Sequence, residues 1–375
     1  MESVVITAFK KVDTALRGGG GTSCFLEKLA SLTNSKLANA DKVVLVGATP
    51  FARKVYHSWP QYYTDKPIIL ADKKEEIPSE GNCLFVLCSR PNITTHLHWL
   101  SDVDQKRVIQ YQALLVLYPE FSCAPYAYAY EKIWKQAEDI IDLWDTYCHI
   151  IESLGDAQSK ELMMKVILFR LTYDIKFHYG IATKYPHYFD EDIIEIAADE
   201  IFVDCGGYNG DTLSAFIDVT KNQFQKYYLF EPDMDLIKAA MNKGDERVTY
   251  INKGVWSKET VLRFKPETAG GNGSLVLNGA EISDIEVPVT TLDDTVTSAT
   301  FIKMDVEGSE LEALKGATNL IKNCRPKLAI CVYHKYEDYI ELFKFIQSIG
   351  DYTVYLRAQY DNIDTELYYL CIPTN

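Results

Sequence analysis

The sequence predicts an α/β protein in which short apolar strands alternate with amphipathic helices to form parallel sheets. Two observations carry this. Strand-type runs at 43–46, 67–71 and 83–88 are separated by helix-length stretches. The same alternation returns near residue 199 and continues to the C-terminus, after a helical interval at 126–198 that ends in an irregular entry at 185–189.

In chain order, residues 1–40 offer one signal, the run Gly18-Gly-Gly-Gly21, read as a flexible joint between a short arm and a helix over 25–37. Val43-Val-Leu-Val46 is a buried strand, 47–52 a turn into a helix, and 67–71 a second strand that ends at Asp72. With the third strand at 83–88, residues 41–125 form a small Rossmann-like domain. Only Gly47 survives there of a glycine-rich nucleotide signature, although Asp72 holds the position of a ribose-binding acid. A structural role competes with a site for the nucleotide or sugar-nucleotide part of an acceptor. Residues 126–198 read as a helical hairpin, with apolar spacing over 131–154 and 159–177 interrupted at Gly155. Its aromatic stripe reads as core packing, and His187 as structural.

The domain at 199–375 opens on Ile201-Phe-Val-Asp-Cys-Gly-Gly-Tyr-Asn-Gly-Asp-Thr212. An apolar strand ends in Asp204, a turn carries Gly206, Gly207 and Gly210, and Leu213, Phe216, Ile217 and Thr220 then recur at helical spacing behind an expected N-cap at Asp211. The pattern is Asp-x-Gly-x-x-x-Gly rather than Gly-x-Gly-x-x-Gly. An acid at the strand end repels a pyrophosphate but attracts a cationic amino-acid end, so S-adenosylmethionine, with its ammonium and sulfonium, suits the turn better. A second strand, 227–231, ends in Glu231 at the ribose-acid position. Further on come a helix over 235–243, a third strand over 247–252, and added strands at 261–265 and 285–290. These last flank the small-residue run 269–274, a connection whose glycines also suit a lid. A fourth strand ends in Asp305, and a helix follows with Ser309 and Glu312 in capping-box spacing. A fifth strand, 327–333, delivers His334 to the same rim; a helix over 336–346 and a closing strand pair at 352–356 and 367–372 complete the chain.

With 375 residues, 47% apolar and 24% charged, the chain has ordinary globular composition. A net charge of −15 argues against a nucleic-acid partner. No apolar run is long enough to span a membrane, and the first residues lack the basic start of a signal peptide. Nine cysteines without a Cys-x-x-Cys pair point to a reducing, cytoplasmic setting.

From 199 to 373 the chain resembles the FkbM-type methyltransferases. The matching pieces are 202–212, Phe230-Glu-Pro-Asp233, Val289-Thr-Thr-Leu-Asp293, Arg325-Pro326 and, most specifically, Phe301-Ile-Lys-Met-Asp-Val-Glu-Gly-Ser-Glu-Leu-Glu-Ala-Leu-Lys-Gly316. The resemblance implies a class I methyltransferase fold, a seven-stranded, mostly parallel sheet with one reversed strand. It also implies S-adenosylmethionine as cofactor and O-methylation of a small-molecule or glycan hydroxyl, a nucleotide-linked acceptor included. Carried onto this sequence, it expects Gly206, Gly207 and Gly210, with Asp211 and Thr212 of the same motif, to line the methionine portion. Asp204 would face the ammonium, Glu231 would take the ribose hydroxyls, and Asp233 with Asn252 and Gly254 would border the adenine. Asp305 would face the methionine end or the acceptor; Asp305, Glu307 and His334 are candidates to handle the acceptor proton, with a hydrogen-bonded structural role the alternative for His334, and Lys303 would steady charge. Glu307, Glu310 and Glu312 also suit a helix start without any catalysis. No spacing demands a metal on Asp305, Glu307 and Asp293, so none is assigned. Two alternatives stay open: a nicotinamide-dependent oxidoreductase, disfavoured by the glycine spacing, and a non-catalytic protein that retains a cofactor fold.

Overall fold

The computed structural model describes residues 4–62, 66–89, 92–123, 130–242, 245–265, 274–276 and 285–374. The chain divides into two units, the first made of Met1–Glu152, Ala157–Ala182 and Tyr360–Thr365, the second of Ser153–Asp156, Thr183–Gln359 and Glu366–Asn375.

In the first unit, the expected arm is a helix, α1 (Val4–Arg17). It is held by Trp144, whose ring stacks on Phe9 at 4.9 Å and whose indole N–H donates to Asp13. The glycine run is the turn between α1 and α2 (Thr22–Asn39), where Gly18 and Gly19 donate back to Thr14 and Leu16. The sheet uses β1 (Lys42–Val46), β2 (Ile68–Ala71), β3 (Cys83–Leu87) and β4 (Val108–Gln110), all parallel, in the order β2-β1-β3-β4. Helix α3 (Pro50–Ser58) starts as its sequence dictates, with Pro50 in the first turn and the Thr49 hydroxyl accepting from Ala52. Helices α4 (Ile93–Trp99) and α5 (Tyr111–Leu117) flank β4 in the chain. The helical interval gives three helices, α6 (Tyr130–Asp142), α7 (Trp144–Ser153) and α8 (Ala157–Thr172), so the first helix of the expected hairpin breaks at Leu143.

The second unit is built on seven strands. In chain order they are β5 (Ile201–Cys205), β6 (Lys226–Phe230), β7 (Val248–Ile251), then, after the insertion described below, β12 (Phe301–Met304), β13 (Lys327–Cys331), β14 (Tyr352–Ala358) and β15 (Leu367–Pro373). Their order across the sheet is β14-β15-β13-β12-β5-β6-β7, and β15 runs antiparallel to both neighbours. The intervening helices are α9 (Asp211–Val219), α10 (Met234–Met241), α11 (Leu292–Thr295), α12 (Glu310–Lys315), α13 (Thr318–Cys324) and α14 (Asp338–Ile349). The insertion between β7 and α11 folds as a second sheet of β8 (Gly254–Val255), β9 (Thr260–Lys265), β10 (Ser274–Val276) and β11 (Ile285–Thr290), in the order β10-β9-β11-β8. Residues 269–273 of the expected lid, and the expected helix end at 243–244, lie outside the described residues.

Apolar alternation gives these strands a buried aromatic core. Phe202 of β5 stacks on Tyr227 of β6 at 5.1 Å and meets Phe301 of β12 at 4.9 Å and Phe216 of α9 at 4.7 Å. From β5 the chain builds outward through β6 and β7, then resumes at β12 on the other side of β5. That reversal is a topological switch point beyond the carboxyl ends of β5 and β12, the position where open α/β sheets form a ligand crevice.

Candidate active site

The turn after β5 is fixed by contact with its own chain. Gly206 has φ +82°, and a Cβ there would lie 1.8 Å from the Asp305 carbonyl oxygen. A Cβ on Gly207 would meet the Leu229 side chain at 2.3 Å. These two glycines are required by strand-to-turn packing, before any ligand is considered. Gly210, at φ +78°, is the N-cap of α9; Asp211 is the first helical residue and not the cap expected from sequence, its carboxylate accepting from the Thr212 N–H at 2.7 Å. Thr212 is buried.

Asp204 and Lys303 are register partners on β5 and β12. They form an ion pair of 3.0 Å with side chains 0% and 3% exposed. The Tyr227 hydroxyl donates to the other Asp204 oxygen at 2.6 Å, and Lys303 also donates to the Gly206 carbonyl at 2.6 Å. Burial opposes the Lys303 charge, but Asp204 and Asp305 outweigh it and hold the ammonium above its ordinary range. Asp204 is therefore committed inside the sheet and is not presented to the crevice.

Glu231 follows β6 and is buried. One oxygen accepts the Tyr208 N–H at 3.0 Å and the other the Asp233 N–H at 2.9 Å. Burial raises its carboxyl while the two amide donors pull the other way. Each oxygen keeps a second lone pair. Asp233 caps α10 by accepting from Asp235 and Leu236, and Asn252, just past β7, donates to the Glu231 and Pro232 carbonyls. Gly254 instead joins β8, paired with Val289 of the insertion sheet.

Beside the Gly206 turn stands an acidic rim. Asp305 accepts from Tyr188 at 3.1 Å and Tyr333 at 3.4 Å. Burial alone would raise its carboxyl, yet Lys303, His334 and the Tyr188 hydroxyl hold it below the usual range. His334 Nε2 lies 3.4 Å from both Asp305 and Glu307, and its Nδ1 2.9 Å from Glu310. Against burial, these three carboxylates raise the imidazole to about 9. Glu307 has a left-handed backbone (φ +54°) and the most open of these carboxylates, 44% exposed; partial burial with Asp305 and Glu310 raises it, against His334.

Sequence reasoning missed Tyr188, Tyr333 and Glu366 at this rim. Burial and the Asp305 charge push Glu366 up to about 7. His187 stacks on Tyr188 at 3.7 Å and sits 3.8 Å from Glu366, and burial lowers it to about 3. Tyr188 and Glu366 come from segments far from the motifs, at the approach to β5 and the start of β15, so no spacing flags them. Tyr333 adjoins His334 and was visible as a strand-end residue.

Two expected devices act differently. Ser309 precedes α12 without a side-chain cap, and Glu312 pairs with Ser257 and Lys315 instead of closing a box. Asp293 accepts the Asn319 and Leu320 N–H groups at 3.1 and 2.7 Å, and so caps α13 from a distance. In the first unit the turn at Gly47 is closed: a Cβ there would meet the His96 ring at 2.8 Å, and Asp72 accepts the Ala48 N–H at 3.0 Å. A cavity of about 430 Å³ lined by Ile193, Thr300, Arg325 and Lys327 lies at the opposite, amino ends of β12 and β13 and contains none of the candidate residues.

Residues 204–362 match the family model described as the methyltransferase FkbM domain. The whole chain is similar to the crystal structure of a methyltransferase FkbM from Methylobacillus flagellatus KT, with 22% identity, a TM-score of 0.66, and coverage of 95% of this chain and 99% of that one. It also aligns with the Methanococcus jannaschii fibrillarin pre-rRNA processing protein at 13% identity and a TM-score of 0.31, over 48% of this chain and 69% of that one. Among curated proteins no sequence matches. Among the described residues no helix is long and apolar enough to cross a membrane. The reversal at β5 and β12, the acids at the strand ends and the domain match over residues 204–362 agree: the protein is a methyltransferase.

Proposed function

We propose that the protein is an S-adenosylmethionine-dependent O-methyltransferase acting on a hydroxyl of a sugar, a glycan precursor or another hydroxylated small molecule. The observation that carries this reading is Glu231. It is buried at the end of the second strand and oriented by two backbone N–H donors, with a lone pair left on each oxygen. That is what a pair of ribose hydroxyls needs from one carboxylate. Asp233 and Asn252, which shape the Glu231 loop, border the adenine side.

Bound S-adenosylmethionine supplies a methyl group activated by its sulfonium. The protein contributes alignment, which dominates the rate of an in-line transfer. Lys303, locked between Asp204 and the Gly206 carbonyl, holds the turn that faces the methionine portion. Asp204 acts through Lys303 in this reading and not on the ammonium. Asp305 stays ionised and is aimed by Tyr188 and Tyr333. Glu307, open to the rim and with a raised carboxyl, accepts the proton of the acceptor hydroxyl.

Isothermal titration tests the cofactor: S-adenosylmethionine and its demethylated product should bind and NAD should not. Transfer of a labelled methyl group to a panel of free and nucleotide-linked sugars then tests the acceptor class. Binding of NAD in place of S-adenosylmethionine would overturn the reading.

A further inference from the structure

We propose that the acidic rim is a divalent-cation site built from Asp305, Glu310 and His334. One donor atom from each lies within 4.8 Å of the other two. A single ion with bonds of about 2.1 Å holds its ligands roughly 3 to 4.2 Å apart, so small side-chain adjustments close the set.

A second observation is independent of that clustering. Glu310 is fully buried, and only one of its oxygens is engaged: Oε1 accepts the Val306 N–H at 3.0 Å and the Gly308 N–H at 3.4 Å. Its Oε2 is buried with no hydrogen-bond partner. A buried carboxylate oxygen left in that state costs free energy, and a cation is one partner that would relieve it. His334, with its side chain 8% exposed, is placed alike. Both ring nitrogens are buried without a well-aligned hydrogen bond, although carboxylate oxygens approach them at 2.9 and 3.4 Å. One ring nitrogen would ligate the ion while the other stays against a carboxylate, as metal-ligating imidazoles commonly do. The neighbouring ammonium groups are committed elsewhere, Lys303 to Asp204 and the Gly206 carbonyl, Lys335 to the Gly308 carbonyl.

Two carboxylates and one imidazole suit Mn²⁺, a hard ion that also accepts an imidazole nitrogen, better than Ca²⁺, which prefers oxygen alone. Asp305 contacts the Gly206 turn through its own carbonyl, so the ion lies next to the crevice. Its role there rests on the methyltransferase reading: it would bind the acceptor hydroxyl and lower its pKa, leaving Glu307 to take the proton.

The full chain, stripped with EDTA, is titrated with Mn²⁺ and followed by EPR. Saturable uptake of one Mn²⁺ per chain is expected, with affinity falling about tenfold or more in Glu310→Gln and in His334→Gln, and unchanged in Asp235→Asn at an exposed helix start. Pulsed EPR on the wild-type protein should show coupling to an imidazole nitrogen, a readout that survives if either variant fails to fold. Absence of saturable binding, or of nitrogen coupling, overturns the site. S-adenosylmethionine binding measured in EDTA separates the two claims. If it persists while Mn²⁺ does not bind, only the cation site fails; if Mn²⁺ binds and S-adenosylmethionine does not, only the methyltransferase reading of the crevice fails.

Discussion

Replacing Lys303 with Met should be among the most damaging single changes in the second unit. The substitution keeps an unbranched side chain of nearly the same length and removes the charge. It leaves the fully buried Asp204 with only the Tyr227 hydroxyl, and the Gly206 carbonyl without its 2.6 Å donor. Removing one partner of a buried pair costs about 3–5 kcal/mol, because the remaining charge is stranded in a poorly solvating interior. Native-state hydrogen exchange read by mass spectrometry on peptides covering β5 and β12 measures this directly. Protection there should fall by roughly two to three and a half orders of magnitude where exchange reports global opening. The Asp204→Asn/Lys303→Met double variant should recover much of the loss, since no unpaired charge is left inside. Protection within tenfold of wild type in Lys303→Met, or a double variant that costs the sum of the two singles, would refute the account of Asp204 and Lys303 as a mutually dependent pair.

Other substitutions probe the site more locally. Glu231→Gln should weaken S-adenosylmethionine binding by about 1.5–3 kcal/mol, the worth of hydrogen bonds to a charged group, and titration calorimetry reads it. Gly206→Ala forces a Cβ against the Asp305 carbonyl at a left-handed φ, so the variant should be recovered largely unfolded or with a markedly lower Tm. The folded pKa of Glu366, about 7, lies above its ordinary value because of burial and the Asp305 and Glu307 charges, with His334 and Lys303 opposing. A carboxyl raised on folding contributes stability below its unfolded pKa and loses it as pH rises through the folded one, so the stability that Glu366 itself contributes should decline from about pH 4.5 to about 7. Urea unfolding should show the wild type losing stability relative to Glu366→Gln across that window, and a pH-independent difference between the two would count against the assignment.

Much of the second unit was legible because its physics is local. Apolar runs of strand length ending in acids marked β5, β6 and β12, and the helical spacing behind Gly210 marked α9. Where the signal was short or the cause remote, the reading slipped. β4 has three residues, too few for a period to emerge. The helix after Asp305 was read as one but stops at Lys315 and restarts at Thr318, since a Cβ on Gly316 would lie 2.0 Å from the Trp256 carbonyl oxygen and Asp293 caps the second piece. A carboxylate such as Asp293 looks the same in sequence whether it meets a cation or a helix end. Asp204 was aimed at a ligand because nothing in its own strand announces Lys303, ninety-nine residues on and adjacent only through strand pairing.

By itself the sequence determined the alternation of strands and helices, the glycine turn, the acid at the end of the second strand and the motif that marks an FkbM methyltransferase domain. Those depend on periodicity, turn chemistry and residue type, all of which are read within a few positions. Only the tertiary structure decided which acids are free. The sheet order puts Lys303 beside Asp204 and closes that pair inside the core, while Glu231 is held at the crevice with lone pairs to spare. The same assembly gathers Tyr188, Glu310, His334 and Glu366 around Asp305. Charge and hydrogen bonding act through space over a few ångströms, and that neighbourhood exists only once distant strands have paired.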